Sequence, residues 1–252
     1  LYYADSLGGG FYRRTPDGRI DTLASGRPGI GGLALHAAGG VVVSGAELVH
    51  IKDGQTRVLL KADGARFNDL EPNADGAVYA GAVRWNAWAG ESPKPGELWK
   101  VSPGGESEVA YGNVLLANGL GFSPDGGVMY HSDTSAQTII VHDIADDGSL
   151  ANRRNLASID RGFPDGLAVD EDGGIWVALF QGGAVIRFLP DGSLDRTLEV
   201  PATMVTSLFF GGPDRRDLYI TTADNTENPE KAGCIFRTRS EVPGVAVPRA
   251  RV

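Results

Sequence analysis

The chain has 252 residues, 42% of them hydrophobic, and a net charge of −9. That length supports a large core within one all-β unit, and the acidity excludes the basic face that nucleic-acid phosphates require. No apolar run approaches the ~18 residues that cross a membrane as a helix, while 36 Gly and 14 Pro punctuate the chain as many short strands with tight turns would.

Three strands are predicted first, at Leu1–Asp5, Phe11–Arg14 and Ile20–Leu23. A four-strand set follows from Ile30, with Gly31–His36, Val41–Ser44, Leu48–Lys52 and Arg57–Leu60. The next begins at Phe67 and continues through Val78–Val83, Glu97–Val101 and Glu108–Tyr111. A third set begins at Asn118, a fourth at Asp165, and a fifth near Thr206 with Asp217–Thr222 and Cys234–Arg239. The polar stretch from Asp224 to Lys231 reads as a surface excursion between strands.

One phrase recurs: an alternating apolar strand, an Asp-Gly or Gly-Gly turn, then another strand. Asn73-Ala74-Asp75-Gly76, Pro124-Asp125-Gly126 and Glu171-Asp172-Gly173-Gly174 are its turns, and such residues supply the positive φ that tight hairpins need. Asn68, Asn118 and Asp165 each head such a hairpin, roughly 50 residues apart, the period of a four-stranded propeller blade. Helical periodicity is nearly absent. The fold class read from this is all-β, a six-bladed β-propeller of four-stranded antiparallel blades forming a single domain over 1–252. The first blade is one strand short, because Leu1–Asp5 matches Val128–Asp133, a second strand. Its innermost strand is expected upstream of Leu1; the alternative is that Val245–Val252 helps close the ring.

In a propeller the heads of the inner strands converge at one end of a central channel. Arg66 with Asn68 and Asp69, then Asn118, then Asp165, then Thr206 with Ser207 stand at those heads. Asn amide oxygens and a carboxylate are hard donors that suit Ca²⁺, Mg²⁺ or Mn²⁺. For one Asn or Asp, a turn-capping role is the simpler reading; recurrence in successive blades favours a shared site.

Arg66-Phe67-Asn68-Asp69, Asn118-Gly119-Leu120 with Ser123-Pro124-Asp125-Gly126, and Pro164-Asp165-Gly166-Leu167 resemble the signatures of the SMP-30/gluconolactonase/luciferin-regenerating family. Ile175-Trp176-Val177-Ala178, the run from Gly182 to Phe188, and Phe210-Gly211-Gly212-Pro213-Asp214 extend the resemblance over nearly the whole chain. It implies one divalent cation in the channel, calcium first, with zinc, manganese or magnesium as alternatives. It implies Asn118 and Asp165 as direct ligands, Asn68 at the metal or its water, and Arg66 on the substrate. It also implies a ligand Glu in an early Glu-Gly-Pro motif, which this sequence lacks; its expected place is upstream of Leu1.

The function expected is hydrolysis of a lactone or related ester by metal-activated water, with Asp165 as the catalytic group and a small molecule as the partner. The loop at Trp85, Asn86 and Trp88 stands where sugar-lactonase relatives often carry a polar contact. Its tryptophans either stack on substrate or pack as wall, and they argue against an unmodified aldonolactone. Competing readings are phosphotriesterase-like or lyase/isomerase chemistry at the same site, and a non-catalytic metal-binding propeller. His36, His50, His131 and His142 show no ligand spacing and read as structural. Ser135 and Ser207 lack a nucleophile elbow. Cys234, the one cysteine, reads as an ordinary buried thiol; the absence of disulfides fits the cytoplasm, without excluding a removed signal peptide.

Overall fold

The computed structural model describes residues 1–86, 89–223 and 233–252. Trp88 and the polar loop 224–231 lie outside the described residues. The backbone divides into two compact units, one of Leu1–Ala117 with Val247–Val252 and one of Asn118–Ala246.

The first unit holds three antiparallel sheets in chain order. The first contains β1 (Tyr2–Asp5), β2 (Gly10–Arg14) and β3 (Ile20–Ala24). The second contains β4 (Leu33–Leu35), β5 (Val41–Val43), β6 (Leu48–Lys52) and β7 (Gln55–Leu60). The third contains β8 (Arg66–Pro72), β9 (Val78–Val83), β10 (Gly96–Val101) and β11 (Ser107–Val114).

The second unit also holds three. They are β12 (Ala117–Phe122) to β15 (Leu150–Ser158) through β13 (Val128–Asp133) and β14 (Thr138–Ile144); β16 (Phe163–Val169), β17 (Ile175–Phe180), β18 (Ala184–Phe188) and β19 (Leu194–Glu199); and β20 (Val205–Gly211), β21 (Asp217–Thr222) and β22 (Ile235–Arg239). The fold class is the six-bladed β-propeller that the repeat predicts, and the opening sheet has the three strands expected of it.

Position within each blade is written in the side chains. Several second and third strands lie buried on both faces: β9, β17 and β18 are buried almost throughout. Such strands are covered by neighbouring sheets on both sides and lack the simple in–out alternation of a one-faced sheet. Fourth strands carry the charge, as in β15 with Asn152-Arg153-Arg154-Asn155 outward. The expected turns close as hairpins: Gly76, Gly126 and Gly173 hold φ of 85°, 73° and 79° and donate to Asn73 O, Ser123 O and Asp170 O.

The C-terminal segment joins the β4 blade of its unit. Ala250 N donates to Leu35 O at 2.9 Å and Ala37 N to Ala250 O at 2.8 Å. His36 Nε2 and Arg57 Nη2 both reach Val252 O, at 2.8 and 2.6 Å. Among the described residues this segment adds nothing to the β1–β3 sheet. The histidines are structural, as read: His36 stacks on His50 at 4.0 Å between centroids, and His131 and His142 are buried in β13 and β14. Cys234 corrects an expectation: it is half-buried. It lies just before β22, where its backbone N and O bond the Thr222 hydroxyl at the end of β21.

Candidate active site

Three inner strands share one register device. β8 pairs with β9 through Phe67↔Ala82 and Leu70↔Ala80, with a register shift between. Three steps on one strand answer two on the other, so Asn68 and Asp69 form a β-bulge. β16 repeats it, with Pro164↔Leu179 and Leu167↔Val177 flanking Asp165 and Gly166. β20 repeats it at Thr206, between Val205↔Thr222 and Ser207↔Thr221. A bulge frees a residue from the ladder and re-aims its side chain, and bulges gather beside active sites for that reason.

A leucine follows two residues after each of these positions: Leu33, Leu70, Leu120, Leu167 and Leu208, behind Gly31, Asn68, Asn118, Asp165 and Thr206. All but half-buried Leu33 are buried. The intervening residue is where neighbouring inner strands touch. A Cβ on Gly119 would lie 2.6 Å from Asp165 O and also strike Leu167 N; one on Gly166 would lie 2.7 Å from Ser207 Cα. Side by side in the second unit, then, stand the heads that carry Asn118, Asp165 and Thr206, as the repeat predicts. In the first unit Gly31 and Gly32 make room for Asn68 and Asp69 in the same way.

Hydrogen bonding orients both asparagines. Asn68 Nδ2 donates to Ala117 O at 2.9 Å. Asn118 Nδ2 donates to Thr134 Oγ1 at 3.2 Å. Each Oδ1 receives no hydrogen bond among the described residues, so two neutral oxygen donors are left for a cation or a substrate. No cluster of three His, Cys, Asp or Glu occurs among the described residues, and a site built on asparagines needs none.

Beyond the bulge, β8 carries a carboxyl pair, Asp69 and Glu71, of which the sequence reading singled out only Asp69. Both retain some accessible surface, yet protein surrounds them closely enough for burial to dominate. Burial pushes Asp69 up to about 6, opposed by the Leu70 N–H that its Oδ1 accepts at 2.8 Å. Burial, and then the Asp69 charge, hold Glu71 well above the usual range. The alternation of β8 could have flagged Glu71, since it stands two residues from Asp69 between buried Leu70 and Pro72.

Arg66 is exposed, with Nη2 on Gly29 O at 3.2 Å. Near it lies Arg27, whose Nη2 donates to Glu47 O at 2.9 Å and whose buried Nε has no partner among the described residues. Gly45, opposite Phe67 in an antiparallel bridge, places its hypothetical Cβ 3.5 Å from Gly29 O and 3.7 Å from Arg27 Nη2. Neither arginine pairs with a carboxylate among the described residues.

Trp85 packs with Val83, Val114 and Ala117, and its indole N–H donates to Leu115 O at 2.6 Å. Asn86 is exposed and shapes its own turn: its Oδ1 accepts from Ala89 N at 3.3 Å, and its N donates to Glu91 at 3.3 Å. Thr134 is a second residue, after Glu71, that sequence reasoning missed. It directly follows β13, and the antiparallel hairpin brings that end back beside the start of β12.

A profile of the SMP-30/Gluconolactonase/LRE-like region matches residues 1–224. The chain belongs to this family. A 6-deoxy-6-sulfogluconolactonase of Pseudomonas putida is 35% identical over 98% of this chain and 89% of its own length. A pentonolactonase of Haloferax volcanii is 29% identical over 94% of this chain and 85% of its own. Among solved structures, a calcium-binding protein, regucalcin, from Agrobacterium tumefaciens superposes with a TM-score of 0.87 at 23% identity, covering 100% of this chain and 89% of that one. The family's fold is thus the fold seen here. No helix among the described residues is long and apolar enough to cross a membrane.

Proposed function

We propose that the protein is a lactonase-type hydrolase acting on a sugar lactone, with Asn118 and Asp165 of the second unit as its cation-holding side chains and Asn68 and Arg66 of the first unit as further candidates. The observation that carries this is the recurrence of an oxygen-bearing side chain at the head of successive inner strands, Asn68, Asn118, Asp165 and Thr206, three of them within a bulge. The lactonase names of two relatives agree with it.

An amide oxygen and a carboxylate on neighbouring strand heads fit a hard divalent cation, calcium foremost, in line with the Agrobacterium regucalcin, a calcium-binding protein. Asn118 and Asp165 would hold it, and when bound it polarises a carbonyl and acidifies a bound water. Asp165 takes one proton from the attacking water. The water oxygen adds to the lactone carbonyl carbon, the ring C–O bond breaks, and that proton passes to the departing alkoxide to give the hydroxy acid. Arg66 and the Asn68 amide are hydrogen-bond donors of the kind that orient a polar substrate. Arg27 and Arg66, both without carboxylate partners among the described residues, favour a lactone that bears an anionic substituent, the sulfonate of the Pseudomonas relative's substrate being one such group.

The test is lactone opening followed by proton release, with gluconolactone and its 6-sulfo analogue, on wild type, chelated protein and Asp165→Ala. Loss of turnover in the last two is expected. Full turnover in both refutes the assignment.

A further inference from the structure

Thr134 is 7% exposed and stands at the turn between β13 and β14. Its Oγ1 donates to Pro164 O at 2.7 Å and meets Asn118 Nδ2 at 3.2 Å. A carbonyl only accepts, so the single hydroxyl proton is committed to Pro164. Toward Asn118 the hydroxyl oxygen can then only accept. That selects the amide NH₂ as its partner and turns Asn118 Oδ1 the other way. Pro164 is the residue that opens the β16 bulge holding Asp165. One hydroxyl therefore governs both the direction of Asn118 and the backbone just before Asp165. The turn that carries it is itself anchored: Gln137 N donates to Thr134 O at 3.1 Å, and Gln137 Nε2 donates to Gly162 O at 2.9 Å.

We propose that Thr134 is the positioning residue of this site, a hydroxyl that fixes the Asn118 amide with its oxygen outward and ties it to the Asp165 bulge. The inference rests on the reading of Asn118 and Asp165 as cation ligands. Thr134 touches neither cation nor substrate; it removes the wrong amide rotamer before binding. Valine has the shape of threonine without the hydroxyl. In Thr134→Val the Asn118 amide loses its reason to prefer one orientation, and Pro164 O loses its donor. Serine restores both bonds.

The test is calcium chloride binding to chelator-stripped protein by titration calorimetry, with apo melting temperatures recorded alongside. Outer partners of metal ligands are worth about 10–100-fold in affinity, so Thr134→Val is expected to weaken calcium by at least about tenfold. Thr134→Ser should stay within about threefold of wild type. A purely structural role would lower apo melting and leave affinity unchanged. Thr134→Ala serves the same comparison should the valine variant not fold. Wild-type affinity in Thr134→Val or Thr134→Ala, while Asn118→Ala and Asp165→Ala bind weakly, overturns this proposal alone. Unchanged affinity in Asn118→Ala and Asp165→Ala, or no calcium binding by wild type, overturns the ligand assignment and this proposal with it.

Discussion

Asp170 is fully buried and Arg187 is 5% exposed. The carboxylate accepts from Arg187 Nε at 2.7 Å and Nη2 at 3.2 Å, from Trp176 Nε1 at 2.7 Å, and from the N–H groups of Gly174 and Asp172 at 2.8 and 3.1 Å. Asp170 also bridges to Gly244, and Val245 N donates to Val169 O at 2.9 Å, so the end of β16 anchors a distant chain segment. Asp170→Asn keeps the shape and removes the charge, leaving a buried guanidinium to Asp195 alone, at 2.9 Å. Breaking one half of a buried pair costs about 3–5 kcal/mol; because Asp195 remains, we expect about 3 kcal/mol. At this chain length that lowers the melting temperature by roughly 6–12 °C. Urea unfolding of Asp170→Asn, Arg187→Met and the double variant measures the coupling, and the double variant should be about 2 kcal/mol more stable than the sum of the singles implies. A loss below about 1 kcal/mol in Asp170→Asn, or additive effects, refutes the reasoning.

Asp69 has its folded pKa raised to about 6 from 3.8, so the native state holds a proton that the unfolded chain gives up, and stability falls as pH rises through that window. Ionisation costs about 3 kcal/mol above pH 6; in chelated protein Asp69→Asn should therefore be more stable at pH 8 and equal to wild type near pH 3, and equal stabilities at pH 8 contradict this. Burial pushes His131 down to about 3 and His142 down to about 4, so their contribution is intact above pH 6.5 and is lost as pH falls towards those values; His142→Leu should move the acid-unfolding midpoint to lower pH, which circular dichroism against pH will read. Gly119→Ala drives a Cβ into the Asp165–Leu167 backbone, which cannot yield as a flexible side chain would. A stability loss of at least about 2 kcal/mol and weakened lactone turnover are expected, and a wild-type melting curve would show that the strands can part there.

Blade positions and the strand heads were legible because their signals are local. Asp-Gly turns need positive φ at Gly76, Gly126 and Gly173, and the apolar runs between them are short and regular. Asn68, Asn118 and Asp165 could be named as candidates because each stands at the same place in a repeated phrase. The setting of Trp85 was not legible: the acceptor that holds its indole, Leu115 O, lies 30 residues along the chain.

The sequence by itself determined the fold class, the blade repeat and the residues at the strand heads, since alternation, turn chemistry and spacing act over a few neighbours. Only the tertiary structure decided which way those residues face. The bulges at Asn68, Asp165 and Thr206, the hydroxyl of Thr134 that orients Asn118, the raised carboxyls of Asp69 and Glu71, and the docking of Ala250 beside Leu35 all depend on groups brought together from distant segments. A hydrogen-bond direction or a desolvation cost is a property of the assembled surroundings, which no local stretch of chain contains.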